Sequence, residues 1–279
     1  MTPSISETGP SRGLADAAGR LGRFVWSGWV GLAGLALMAA GWQFGHEIFG
    51  DFVLPAPGPV LGTTLELLGR SEVWVLAGQT TRRAAGGLAV AAILGGVGGF
   101  VVGYSPALMR LSRPVLTVML GVPPIAWIVV AMIWFGASDA TVTVTVAVTS
   151  GPLLFIGAAE GVVGRDRALD EMARAFGAGP VSRVATVGVR QMLASLFPAL
   201  SMAAGTAFKV AVMAELLTNA GGVGGALADA RSLLDMRAAL AWILISVAAL
   251  LAVEYGLIHP VRSYLERWRE AARPWGLKR

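Results

Sequence analysis

Six stretches of this chain run for about 18 residues or more with almost no charge, the length a helix needs to cross the hydrocarbon of a bilayer. They cover residues 24–42, 84–109, 114–138, 140–159, 191–214 and 238–258. The first four hold no charged residue, the fifth is interrupted only by Lys209 and the sixth only by Glu254. Backbone in lipid must satisfy its own hydrogen bonds, so such runs predict an all-α membrane protein with six transmembrane helices. The rest of the composition agrees. Charged residues make up 14% of the 279, against about 25% in a soluble domain, too few to keep a surface this size wet. The 55% hydrophobic content excludes disorder, and the absence of cysteine excludes a disulfide scaffold. Two isolated histidines, His46 and His259, argue against a structural zinc site.

The fourth run needs its own argument. Residues 141–148, Thr-Val-Thr-Val-Thr-Val-Ala-Val, alternate with the period of a strand. A lone strand in lipid leaves its backbone groups unpaired at several kcal/mol each. The run therefore predicts a helix in spite of its alternation.

Placement of Lys and Arg orients the spans. One side collects Arg12, Arg20, Arg23, Arg110, Arg113, Arg165, Arg167, Arg174, Arg183, Arg190 and a basic tail from Arg262 to Arg279. The other side holds only Arg70, Arg82, Arg83, Arg231 and Arg237. Both ends are thus expected in the cytoplasm. The basic residues are scattered along one rim, which argues against a nucleic-acid partner and for the lipid membrane itself. Arginines before an apolar run resemble a signal peptide, but 24–42 is longer than a typical apolar signal core and reads as an uncleaved anchor. The expected organisation is a disordered cytoplasmic tail (1–23), a first span with an extracytoplasmic segment (24–83), a core of five spans (84–258) and a cytoplasmic basic tail (259–279).

Two linking segments carry information. Outside, residues 54–59 (Leu-Pro-Ala-Pro-Gly-Pro) read as a rigid extended turn before a short helical pattern at 60–68. The cluster Gly221-Gly-Val-Gly-Gly225 lacks the strand of a dinucleotide fold and reads as a tight turn into a short helix at 226–234. Inside, residues 160–190 predict two short helices, 166–176 and 181–193, separated by Gly177-Ala-Gly-Pro180, where Gly stops one helix and Pro starts the next.

At this hairpin the chain resembles a family. Glu171-Met-Ala-Arg-Ala-Phe-Gly177 is similar to the "EAA" signature of permease subunits of binding-protein-dependent ABC importers. Ala173, Gly177, Val187 and Val189 fill the places of that signature, while Met172 stands for an Ala and Arg190 for a usual Pro. Residues 123–136 (Pro-Pro-Ile-Ala-Trp-Ile-Val-Val-Ala-Met-Ile-Trp-Phe-Gly) resemble the third span of the nitrate/sulfonate/taurine branch. The Pro-Ala-Pro-Gly-Pro stretch, Thr81-Arg82 and Ala214-Glu215-Leu216 fit the same branch.

The resemblance implies a type I ABC importer permease fold in the bacterial inner membrane, working by alternating access. It implies that Asp170, Glu171, Ala173, Arg174, Gly177 and Arg183 form a coupling hairpin that docks a separate ATPase. The expected partners are two ATP-binding cassette subunits, an extracytoplasmic solute-binding protein and a second permease copy. ATP and Mg would be held by the ATPase alone. This chain has only two lysines, Lys209 and Lys278, and neither lies in a phosphate-binding Gly-x-x-x-x-Gly-Lys-Ser/Thr loop, so the chain is not expected to be an enzyme by itself.

Candidate pathway residues are Pro123, Pro124, Trp127, Lys209 and Glu215. The prolines predict a kink in the third span. Lys209 is a charge deep in an apolar run, a position that faces an interior or a wet cavity more often than lipid. Six helical positions separate it from Glu215, which disfavours a direct pair. Its roles stay open between attracting an anionic substrate, snorkelling and pairing with another span. Two other functions stay open as well: transport of a neutral or cationic vitamin-precursor-like solute, and a secondary carrier or membrane anchor without an ATPase.

Overall fold

A computed structural model describes residues 10–258, and among them every regular element is helical. The chain divides between Leu61 and Gly62 into two compact units. Residues 1–9 and the basic tail expected at 259–279 lie outside the described residues.

The first unit is dominated by α1, Pro10–Val53. Residues 10–23, expected as part of a disordered tail, are helical instead. Leu14, Ala15, Ala17, Ala18 and Leu21 are good helix formers, and the helix of the following span propagates back through them. Gly50 breaks the helix with φ 76° and ψ 171°. The chain then folds back: Trp42 Nε1 donates to the Pro55 carbonyl at 2.9 Å and His46 Nδ1 lies 2.8 Å from the Leu54 carbonyl. Leu37, Phe44 and Phe52 are exposed, as a lipid-facing helix requires. The proline stretch expected as an extended turn is absorbed from Pro57 into α2, Pro57–Leu68. Proline lacks only a donor that a first helical turn leaves free anyway.

The second unit is a helical bundle. Its centre is α3, Ser71–Gly103, packed along α6, Asp139–Val163. The contact is so close because α3 presents glycine to it at positions 87, 95, 99 and 103. A Cβ at Gly95 would stand 2.6 Å from the Gly151 carbonyl, and one at Gly103 2.7 Å from Val162 Cβ. Small residues of this kind let apolar helices approach where lipid offers no hydrophobic drive. Gly95→Val is accordingly expected to cost at least about 1–3 kcal/mol, the range for overpacked cores. A thermal melt of the detergent-purified chain checks this, with Gly205→Ala, which meets open space, as the neutral control.

The alternating Thr/Val run is helical, as expected, and its hydroxyls explain how. Thr145 donates to the Thr141 carbonyl at 2.7 Å and Thr149 to the Thr145 carbonyl at 2.8 Å. Each hydroxyl is satisfied by its own helix and costs the membrane nothing.

Between α3 and α6 the expected single kinked span is two helices, α4 (Pro106–Gly121) and α5 (Pro124–Phe135), set at 92° to each other. Val122 and Pro123 are extended at the break. A proline restricts the residue before it to extended backbone, so two consecutive prolines end one helix and start another rather than merely bend it.

After α6 comes the hairpin, α7 (Arg167–Ala175) and α8 (Pro180–Arg183). The hairpin's second leg, expected at 181–193 and so overlapping the span expected at 191–214, is continuous with that span. α8 passes through a π-helical turn, Val184–Gly188, straight into α9, Val189–Thr218. The result is one helical rod of 39 residues. It packs on α6 where Gly157 meets Ala199 and Gly161 meets Met192. Two further helices, α10 (Gly222–Ser232) and α11 (Met236–Val253), complete the bundle. Four helices among the described residues are long and apolar enough to span, and there are five if the bent pair α4–α5 counts as one span. The sixth expected span falls in α1, much of whose first half lies outside the described side chains.

Candidate functional site

Two features at opposite ends of the bundle stand out, and α9 joins them. At its end near α10, α9 carries Glu215, whose side chain is fully buried. Arg83 of α3, 7% exposed, donates from Nη1 to Glu215 Oε1 at 2.6 Å. The same guanidinium reaches Asp139 Oδ1 from Nη2 at 2.5 Å and from Nε at 2.9 Å, and donates to the Ala220 carbonyl at 2.8 Å. Thr80 donates to Glu215 Oε2 at 2.8 Å, and the Gly224 amide donates to that oxygen at 3.1 Å. The Val223 amide in turn donates to Thr80 Oγ1 at 3.0 Å. A buried ion pair survives only when its remaining donors and acceptors are met, and here they are.

The glycine cluster, expected as a plain turn, is what allows this. Gly221 and Gly222 take φ of 75° and 73°, which turns the chain so that the Gly224 amide reaches Glu215 and the Val223 amide reaches Thr80. Side chains at Gly222 or Gly224 would collide with Glu215 itself. The helix N-terminus then places its positive dipole end on the carboxylate. Arg82 and Arg83, expected beyond the start of the second span, lie inside α3, which begins a dozen residues earlier. Arg83 need not leave the bundle because Asp139 and Glu215 neutralise it, while Arg82 pairs with Asp139 at the exposed surface. Thr80, Arg83 and Asp139 were not legible as a site. The available signal was the opposed charges at the borders of three apolar runs.

Of the expected pathway residues, Glu215 has no surface left to present to a passage. Lys209 does. It lies on an exposed stripe of α9 with Met202, Thr206, Met213 and Leu217, opposite the buried Ala203, Ala207, Phe208 and Ala211. No ion pair to Lys209 exists among the described residues, and it does not meet Glu215. Trp127 is half-buried on α5, its indole N–H enclosed without a hydrogen-bond partner. Pro123 is exposed at the helix break and Pro124 half-buried beside it.

At the other end, the hairpin is a designed projection rather than a loose link. Asp166 caps α7 by accepting from the Ala168 amide at 2.9 Å. Gly177, at φ 79°, closes α7, with its amide on the Arg174 carbonyl at 3.0 Å and that of Ala178 on the Ala173 carbonyl at 3.0 Å. Pro180 opens α8. Arg183 Nε stands 3.8 Å from Asp170 Oδ1, so these two residues link the legs to each other. Glu171 and Arg174 are exposed. Two apolar residues missed by charge-based reasoning flank the turn: Phe176 is 85% exposed and Val181 81%.

The described residues thus combine several helices long and apolar enough to span a membrane with a capped, apolar-tipped hairpin that runs directly into one of them. The chain belongs to the family described as "binding-protein-dependent transport system inner membrane component", which matches residues 87–260. It is 28% identical over 221 residues to SsuC of Bacillus subtilis (strain 168), covering 78% of this chain and 80% of that protein, whose name provisionally assigns it to aliphatic sulfonates transport. It is 27% identical over 269 residues to the riboflavin transport system permease protein RibX of Chloroflexus aurantiacus, covering 95% and 99%. Other relatives are named for nitrate import and taurine transport, in line with the nitrate/sulfonate/taurine branch. Among solved structures, an amino acid ABC transporter described with histidines shares the fold with a TM-score of 0.51 at 14% identity, over 69% of this chain and 90% of that one.

Proposed function

We propose that this chain is the transmembrane subunit of an ATP-driven importer that moves a small organic or inorganic oxyanion by alternating access. Two copies would enclose the path, two ATP-binding cassette subunits would dock on the hairpins and bring ATP and Mg, and a solute-binding protein would deliver the substrate outside. The hairpin would lie in the cytoplasm, as the arginine asymmetry of the loops requires. Residues near 51–61 and 221–235 would face the binding protein.

The observation that carries the anion reading is Lys209. A lysine on the outward stripe of a spanning helix, with no carboxylate paired to it among the described residues, is costly in lipid and tolerated in a wet path between two protomers. Such a charge raises the local concentration of anions and rejects cations. Trp127 and the α4–α5 break would lie along the same path. Asp170, Glu171, Ala173, Arg174, Gly177 and Arg183 would form the ATPase dock.

The test is uptake of sulfonate, taurine and nitrate by the reconstituted complex with Lys209→Met. Loss of one productive charge contact predicts a fall of about tenfold or more in uptake of the anion, with the complex still assembled. The similarity to a riboflavin permease over nearly the whole chain favours a second reading, an uncharged solute. Under that reading Lys209→Met leaves uptake unchanged.

A further inference from the structure

Both legs of the hairpin come to rest on one side chain, Tyr104, which ends α3. Where the chain leaves α6, the Arg165 guanidinium stacks 5.1 Å above the Tyr104 ring. Where the second leg returns, Gly188 closes the π-helical turn and is buried against the same ring. A Cβ at Gly188 would overlap the Tyr104 hydroxyl oxygen, while the ring carbon that bears this oxygen lies at 3.5 Å, an ordinary contact. Phe100, one turn earlier on α3, holds the ring edge-on with centroids 5.3 Å apart and planes at 79°. The legs are also tied to each other at their base, where the Asp166 amide donates to Gln191 Oε1 at 2.8 Å.

The π-turn lies at the point where the hairpin becomes α9. Such turns are rare, interrupt the regular hydrogen-bond ladder and concentrate at functional sites. Beyond it α9 runs unbroken in its helical assignment to Lys209 and Glu215, although Pro198 lies within it. A displacement of the hairpin therefore enters the rod at the π-turn, and the ring that meets both legs there, that of Tyr104, belongs to a different helix.

We propose that Tyr104 is the pin on which the hairpin pivots, a positioning residue that keeps hairpin movement in register with α9. Arg165 and Gly188 are the two surfaces that bear on it, and the π-turn is the joint that yields. The inference rests on the importer reading for its role in transport. The pin itself is a property of this chain alone.

Two measurements separate these. The chain has no native cysteine, so Val101→Cys and Phe176→Cys place nitroxide labels cleanly on α3 and on the hairpin. Pulsed electron resonance on the isolated permease should give a narrow distance distribution. Gly188→Ala should broaden or shift it, and Tyr104→Phe added to Gly188→Ala should restore it, because only the overlapping oxygen is removed. No change with Gly188→Ala, or no restoration by Tyr104→Phe, overturns the pin. In the reconstituted complex with its ATPase and binding protein, Gly188→Ala and Tyr104→Ala should each lower substrate moved per ATP hydrolysed by about tenfold, within the range that overpacking or a lost contact produces. Tyr104→Phe alone, and Tyr104→Phe with Gly188→Ala, should transport like the unsubstituted chain. Equal loss in Tyr104→Phe alone assigns the effect to the hydroxyl and overturns the pivot. Failure of the unsubstituted complex to couple uptake to ATP overturns the importer reading instead, while the resonance result still decides the pin.

Discussion

A Glu215→Ala chain is expected to lose about 3 kcal/mol of stability, the low end of the cost of breaking a buried ion pair, because Arg83 loses its buried partner and keeps only the half-exposed Asp139. The charge left behind is Arg83, which is 7% exposed and has Glu215 and Asp139 as its carboxylate partners. The Gly224 amide loses its acceptor at the same time, and Thr80 keeps only the Leu76 carbonyl. Arg83→Met with Glu215→Met should recover most of the loss, since replacing both ends of a buried pair with apolar groups of similar volume is often neutral. Arg82→Ala should change little, because the Arg82–Asp139 pair is solvent-exposed and such pairs contribute about 0–1 kcal/mol. The measurement is the melting midpoint of the monodisperse peak in detergent. If Glu215→Ala melts with the unsubstituted protein, the cluster does not hold the ends of α3, α6, α9 and α10 together.

The second large effect is expected at the hairpin tip. Phe176→Asp combined with Val181→Asp should abolish recovery of the ATPase subunit with the tagged chain while leaving the melting midpoint unchanged. Both side chains are more than four-fifths exposed and support no packing within the protomer. A central apolar anchor at a protein interface typically contributes about 2 kcal/mol or more, about a thirtyfold change in affinity. Glu171→Ala should weaken recovery less and more so at low salt, because an exposed rim charge acts chiefly on association. Undiminished recovery of the ATPase with both aspartates in place would move the dock away from this tip.

Legibility followed the reach of the interaction. The helix in the Thr/Val run was readable because lipid excludes the alternative whatever the neighbours are. The hairpin's stop and start, Gly177 and Pro180, were readable because φ preference and the missing proline donor are local properties. The limits of α3 were not. Arg82 and Arg83 look like the end of a span until Asp139, more than fifty residues away, and Glu215, more than a hundred away, are placed beside them. The double proline announced a disturbance in the third span, but its size, two helices at 92°, depends on how α5 packs against α6. The glycines at 221–225 were readable as a turn, though not as the cradle of a carboxylate.

By itself, then, the order of residues determined that this chain is helical, that it crosses a membrane several times, and that a capped hairpin interrupts its spans. Those properties follow from hydropathy, backbone freedom and helix ends, which act within a few residues. Only the tertiary structure decided that a buried arginine bridges two carboxylates, that the hairpin and α9 are one rod, and that Lys209 faces outward while Glu215 is enclosed. These depend on which helix faces which, and hence on close packing between residues far apart in the chain.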